Sequence, residues 1–302
     1  MRAAPALAVL GIALASAACD SRHVSLGDGR GTASSVRDGG APSFGEPTLI
    51  QGLESSDSGE TTDDDPSLTG DLKELYFDSK RGGGAGREDI WSTARDATTS
   101  PWAAPHFEAT LSSDSRETGI ALTADGLVLY FSSDREGGAG GLDVYVSTRS
   151  SRQDDWSTPR RVESLESSGD DLVSAVDPTG NTLHLARRDG EDDDYDLYVA
   201  LRLEGTAAEA FLDPTPIAEL VSDDEESDAF PVQGGLGLVF TRDENLLLAV
   251  RATPTDAYGE PSPLTDLNSD ADDRDAWSTP ALDYVVFSSD RTGDYRLYEA
   301  RR

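Results

Sequence analysis

Residues 129–145 read LYFSSDREGGAGGLDVY: an apolar triplet, a charged pair, a run rich in glycine and a second apolar stretch. A glycine-rich loop after a strand can cradle a phosphate, but only where a helix N-terminus follows to present free backbone amides. Here another strand-like segment follows. The turn also closes on acid, Asp143 in this copy and Glu88 with Asp89 in the matching stretch at 75–91, and acid repels an anion. The turns at 137–141 and 82–86 therefore read as hairpin connections.

The pattern recurs along the chain. It returns as LYFDSKRGGGAGREDIW at 75–91, LHLARRDGEDDDYDLY at 183–198, VVFSSDRTGDYRLY at 285–298 and a worn copy, LVFTRDENLLL, at 238–248. Its third residue marks Phe77, Phe131, Leu185, Phe240 and Phe287, which are 54, 54, 55 and 47 residues apart. A period of about 50 residues, holding several short strand signals, is that of a propeller blade and not of a helical solenoid. Each unit opens with an aromatic and a proline: Phe44 with Pro47, Trp102 with Pro105, Trp156 with Pro159, Phe211 with Pro214, Tyr258 with Pro261. A short strand, an acidic loop, an inner strand (PSLT, IALT, LVSAV, AFPV, AWST), the LYF strand, its turn and the DVY strand follow. Helix signals are nearly absent, with a short turn expected only at 205–212.

Strands of the LYF type are apolar on both faces, as a blade packed between two neighbours demands; a sheet with one wet face alternates instead. The first strand signal, 47–53, is of the kind that ends a unit, and the last, 296–300, is of the kind that precedes it. The N-terminal strand is therefore expected to complete the final blade beside the C-terminal strand, leaving no open edge. These features predict an all-β fold, a five-bladed β-propeller of four-stranded antiparallel blades over residues 46–302.

The chain carries 58 acidic against 25 basic side chains, a formal net charge of −33. A polyanion without a basic stripe has no means of displacing the counterions of a phosphate backbone, which argues against DNA or RNA as a partner. The N-terminus, MRAAPALAVLGIALASAAC, has one positive charge at Arg2 and an apolar run from Ala3 to Ala18, too short to span a bilayer and suited to a signal-peptide core. It ends at Cys19, the single cysteine, so no internal disulfide can form. Residues 16–19, SAAC, resemble a bacterial lipobox, with Ser16 where that motif usually has Leu; the resemblance implies removal of residues 1–18 and lipidation of Cys19. The alternative is an ordinary secretory signal cleaved near Ala18, leaving a free thiol. Residues 19–45 are rich in Gly, Ser, Asp and Arg and read as a flexible tether.

Taken together, the Leu-Thr-x-Asp-Gly turn, the Leu-Tyr-Phe strand, Ser-Asp-Arg, the Gly-rich turn and the Asp-(Ile/Val/Leu)-(Tyr/Trp) strand resemble the TolB-like, WD40-like (PD40) β-propeller repeats of bacterial envelope proteins. Residues 122–145 fit best, and unit four departs, with Asp243-Glu244-Asn245 in place of the Gly-rich turn. The resemblance implies a non-catalytic propeller outside the cytoplasm that acts as a platform for contacts. For this chain the expectation is an exported, lipid-anchored binding or scaffold module of the bacterial envelope, with envelope proteins as partners and no cofactor. Its place is the periplasm or the cell surface, on the outer membrane, with the lipid anchor as its one membrane contact.

Arg81 with Asp89, and Arg135 with Asp143, flank the same hairpins, which predicts salt bridges across their bases, with Arg188 against Asp196 in unit three. Recurrence marks these as scaffold, because an active site is normally built once. An acidic residue also stands just before each presumed inner strand: Asp64, Glu117, Asp171, Asp228 and Asp275. Five carboxylates around one channel mouth would make a candidate cation ring, with Ca2+ as the ion that hard oxygen ligands suit. The opposing reading is a set of turn residues, each paired within its own blade. The run at 266–272, DLNSDAD, opens like a calcium loop but lacks the glycine at its sixth position. His23, His106 and His184 show no metal-ligand spacing, and no serine stands in an elbow motif, so zinc and nucleophilic chemistry have little support. One enzymatic alternative stands. Some five-bladed propellers are glycosidases with channel carboxylates, and here Phe230 and Trp277 are the aromatic exceptions on otherwise small or aliphatic channel strands.

Overall fold

The computed structural model describes residues 42–53, 62–190, 194–203 and 205–302. The signal-type segment, Cys19, His23 and the tether through residue 41 lie outside them. β1 (Thr48–Leu49) comes first in the chain and belongs to the last blade. Blade one is β2 (Asp63–Leu68), β3 (Glu74–Ser79), β4 (Asp89–Ala94) and β5 (His106–Phe107). Blade two is β6 (Glu117–Leu122), β7 (Val128–Ser133), β8 (Asp143–Thr148) and β9 (Arg160–Arg161). Blade three is β10 (Asp170–Val176), β11 (Thr182–Arg188), β12 (Asp196–Leu201) and β13 (Thr215–Pro216). Blade four is β14 (Glu226–Val232), β15 (Gly237–Arg242), β16 (Asn245–Val250) and β17 (Ser262–Pro263). Blade five is β18 (Asp273–Ser278), β19 (Tyr284–Ser289) and β20 (Arg296–Arg301), with β1 as its outer strand.

Each first strand (β2, β6, β10, β14, β18) contacts the next, and β18 contacts β2, so the five close a ring around a channel. This is the five-bladed propeller the repeat predicts. Among the described residues there is no α-helix, and the turn expected at 205–212 is present, the Ala210 amide donating to the Ala207 carbonyl at 3.0 Å, between residues Arg202 and Phe211 that form an isolated bridge.

Burial explains the repeat. Leu75, Tyr76 and Phe77 of β3 are all buried, and Phe77, Phe131, Phe240 and Phe287 are fully so, each contributing on the order of 1.5–3 kcal/mol. The leading aromatics Phe44, Trp102, Trp156, Phe211 and Tyr258 are buried too. They join blade to blade: Trp156 meets Tyr76 edge-on at 5.8 Å, and Phe211 meets Tyr130 at 5.7 Å.

The Gly-rich turns do hold an anion, and it is the chain's own. Asp89 accepts hydrogen bonds from the backbone amides of Ala85 (2.9 Å) and Gly86 (3.1 Å), and Asp143 from those of Ala139 (3.1 Å) and Gly140 (3.4 Å). A Cβ on Gly140 would collide with the Gly169 carbonyl in the loop entering blade three, so only glycine lets the two blades approach there. These bonds correct the expected salt bridges, because Asp89 and Asp143 are already engaged by their turns. Arg81 instead meets Asp63 at 2.5 Å, and Arg135 meets Glu117 at 2.9 Å. The same pair recurs as Arg187 with Asp171, Arg242 with Glu226 (2.8 Å) and Arg291 with Asp273 (2.5 Å). Arg188, expected against Asp196, pairs with Asp170 at 2.6 Å. Antiparallel register is the reason: Ser79 lies opposite Asp63, so an arginine at the end of the second strand or just beyond it reaches the start of the first. Four of these guanidinium groups also donate to a carbonyl in the loop entering their blade, at Leu111, Leu165, Leu220 and Leu267.

Ring closure follows the predicted route. β1 pairs antiparallel with β20, Thr48 opposite Glu299 and Leu49 opposite Tyr298. Flanking amides of Gly45 and Ile50 donate to the Arg301 and Leu297 carbonyls at 2.8 and 2.9 Å. The buried Phe44 adds an apolar contact to the cluster around Phe287.

Three outcomes are expected. Arg291→Ala strands the fully buried Asp273 without its partner and should cost about 3–5 kcal/mol in urea unfolding. Arg87→Ala, which removes an exposed pair with Asp134, should cost under about 1 kcal/mol. His184 takes the place of Tyr76 and Tyr130 in β11; burial lowers its pKa to about 4, against a smaller opposing pull from Asp177. The unfolded chain then binds the proton more readily than the fold, so this contribution is complete above pH 6.5 and is lost as pH falls toward 4. Between pH 7.5 and pH 5 the wild type should lose about 2 kcal/mol through this group, a loss that His184→Tyr removes from the pH profile of Tm.

Candidate functional site

Each first strand carries its arginine-paired acid within its first two residues: Asp63, Glu117, Asp171, Glu226 and Asp273. Two positions further on, the strand register shifts in blades one, two, four and five, at Asp64/Ser67, Thr118/Ala121, Ser227/Phe230 and Arg274/Trp277. The residues at these bulges have left-handed backbone, with φ of +50° at Asp65, +61° at Gly119, +55° at Asp228 and +54° at Asp275. Aspartate tolerates that region better than most side chains, and a bulge re-aims the side chain it carries. The result is a cluster: one carboxylate oxygen from each of Asp65, Asp228 and Asp275 lies within 4.8 Å of the others.

The cluster lines a polar cavity of about 620 Å³ at one end of the channel, together with Asp64, Arg116, Thr241 and Arg274. Asp65 accepts hydrogen bonds on Oδ2 from the Thr118 hydroxyl (2.7 Å) and the Gly119 amide (2.6 Å). Asp228 accepts one on Oδ2 from the Ser227 hydroxyl at 2.6 Å. Arg274 Nε stands 3.3 Å from Asp275 Oδ2, while its Nη2 donates to Asp64 at 2.9 Å. Burial, and then the charge of Asp228, push the Asp65 carboxyl up to about 6. Burial also raises Asp275 well above the usual carboxylate range, with Asp228 and Asp65 adding to it.

The structure divides the acids expected to form a ring. Asp228 and Asp275 reach the channel cluster. Asp64 lies one residue off, held by Arg274 and by the Ser288 hydroxyl. Glu117 and Asp171 are buried in their blades by Arg135 and Arg187, and they do not join the cluster. A five-carboxylate ring is thus replaced by three aspartates. Asp65, the third, escaped the sequence reading, and so did Arg274. The signal was present as acid-x-Asp-(Pro/Ala) in DDDP, ESDA and DRDA, against ETGI and DLVS in blades two and three.

The other end of the channel is apolar. A cavity of about 660 Å³ there is lined by Leu68, Leu122, Val176, His184, Phe230 and Trp277, and the last two pack edge-on at 5.9 Å.

No family model matches the chain, and no curated protein matches its sequence. Solved structures do share its fold. A family-43 glycoside hydrolase described as thermostable is 11% identical, with 84% of this chain aligned to 91% of that one at a TM-score of 0.51. A protein of unknown function from Dyadobacter fermentans is 11% identical, with 80% of this chain aligned to 79% of that one, also at 0.51. A protein assigned as TolB from Agrobacterium tumefaciens is 16% identical over 75% of this chain and 69% of that one, with a TM-score of 0.46. At such identities the likeness is one of fold, the five-bladed β-propeller.

Proposed function

We propose that the protein is a non-catalytic binding or scaffold module, exported and lipid-anchored at Cys19, that serves an envelope protein in the bacterial periplasm or at the cell surface. The observation that carries this reading is repetition: in all five blades the buried acid that starts the first strand is tied to arginine, which is scaffold chemistry shared by every blade and not a site built once. The apolar channel end supports a binding role, since it offers aromatic and aliphatic surface with few polar groups.

A second reading is a glycan-binding protein or glycosidase. It rests on the raised Asp65 and Asp275, which keep protons to higher pH inside a polar cavity, as a general acid must. Cross-linked affinity capture of the full-length protein from native envelopes, beside Cys19→Ala, separates the two. A stoichiometric protein partner, reduced in yield when the anchor is lost, is the expected result. Glycan fragments without a protein partner would overturn it in favour of the second reading, and Asp275→Asn should then abolish their release.

A further inference from the structure

We propose that Asp65, Asp228 and Asp275 form a calcium-binding site at the polar end of the channel, supplied by three different blades. Two of the three carboxylates share a design. Asp65 accepts hydrogen bonds on Oδ2 from Thr118 and Gly119, Asp228 accepts one on Oδ2 from Ser227, and the Arg274 guanidinium stands 3.3 Å from Asp275 Oδ2. Asp65 and Asp228 are thus each oriented through one oxygen, and each has a second to offer a ligand.

A further group points to the same ligand. Thr241 lines this cavity and is only 6% exposed, yet its Oγ1 has no hydrogen-bond partner. Buried polar atoms without partners are rare in folded proteins, and a hydrated cation satisfies a hydroxyl as well as carboxylates. Repulsion gives the same sign. Three carboxylates this close are costly unless protonated or neutralised, and burial raises that cost.

Coordination chemistry selects the ion. Calcium takes about six to eight oxygens at about 2.3–2.6 Å in flexible geometry, whereas magnesium demands a near-octahedral shell at about 2.0–2.1 Å. Hard oxygens supplied by separate blades, with no octahedral arrangement built around them, suit the more tolerant ion. Calcium held by Asp65 and Asp275 would leave neither of them free to act as a general acid, so occupancy of this site agrees with the scaffold reading and counts against the hydrolase one.

The test is titration calorimetry of the intact protein, first stripped with a chelator, with CaCl2 and MgCl2 as separate titrants. One Ca2+ per chain is expected, with Mg2+ at least tenfold weaker. At a free Ca2+ about a hundred times Kd, Tm should rise by roughly 5–10 °C. Asp228→Asn and Asp65→Asn should each weaken Ca2+ binding at least tenfold. Asparagine also accepts left-handed backbone, so both variants should fold, and relief of repulsion should leave their Tm in chelator at or above that of the wild type. Asp256→Asn, an exposed site elsewhere, should bind as the wild type does. Absence of Ca2+ heat and of a Tm shift in the wild type would overturn the proposal, as would unchanged Ca2+ affinity in folded Asp228→Asn and Asp65→Asn.

Discussion

The structure depends on one buried ion pair, used five times. An acid at the start of each first strand, at most 1% exposed, meets an arginine from the end of the second strand or just beyond it. Left alone, either charge would be intolerable at that depth; together, with a loop carbonyl completing the guanidinium's hydrogen bonds in four blades, they fix where a strand begins and how the preceding loop enters. That pin is what gives the bulge its meaning. With the first residue held, the bulge two positions on can only turn its side chain toward the axis, and three blades put aspartate there. Buried charge in the blades and clustered charge in the channel are thus successive positions of one strand.

Legibility followed the range of the interaction. Repeating features that pack locally were plain in the sequence: the marker phenylalanines, the leading aromatics, and the order of strand types that sends the N-terminus to the last blade. Features set by register were not. Arg81 and Asp89 are close in sequence across a hairpin, whereas Arg81 and Asp63 are brought together by strand pairing, which a linear reading underweights. The channel acids suffered from the same blindness, since a bulge adds residues to one strand without any mark in its hydrophobic pattern. Asp228 and Asp275 were found, Asp65 was missed by one position, and Glu117 and Asp171 turned out to be the pinned acids of their blades.

Blade four shows how a decayed repeat can acquire a different use. Its Gly-rich turn is replaced by Asp243 and Glu244, both with left-handed backbone (φ +46° and +62°), which make a tight two-residue hairpin. The shortened turn no longer wraps an aspartate of its own. Its two acids line the polar cavity instead, beside the cluster formed by Asp65, Asp228 and Asp275. What reads as erosion of the motif is also an increase in negative charge at the channel mouth.

The seam between β1 and β20 has a mechanical side. Force applied along the N-terminal segment reaches the ring through a two-residue strand and the few hydrogen bonds and the buried Phe44 that flank it, before it reaches any blade built from continuous hairpins. The weakest joint is therefore in series with the load, like a clasp on a strap. Under tension the ring would open at blade five, while four blades, each closed within its own stretch of chain, keep their strands paired.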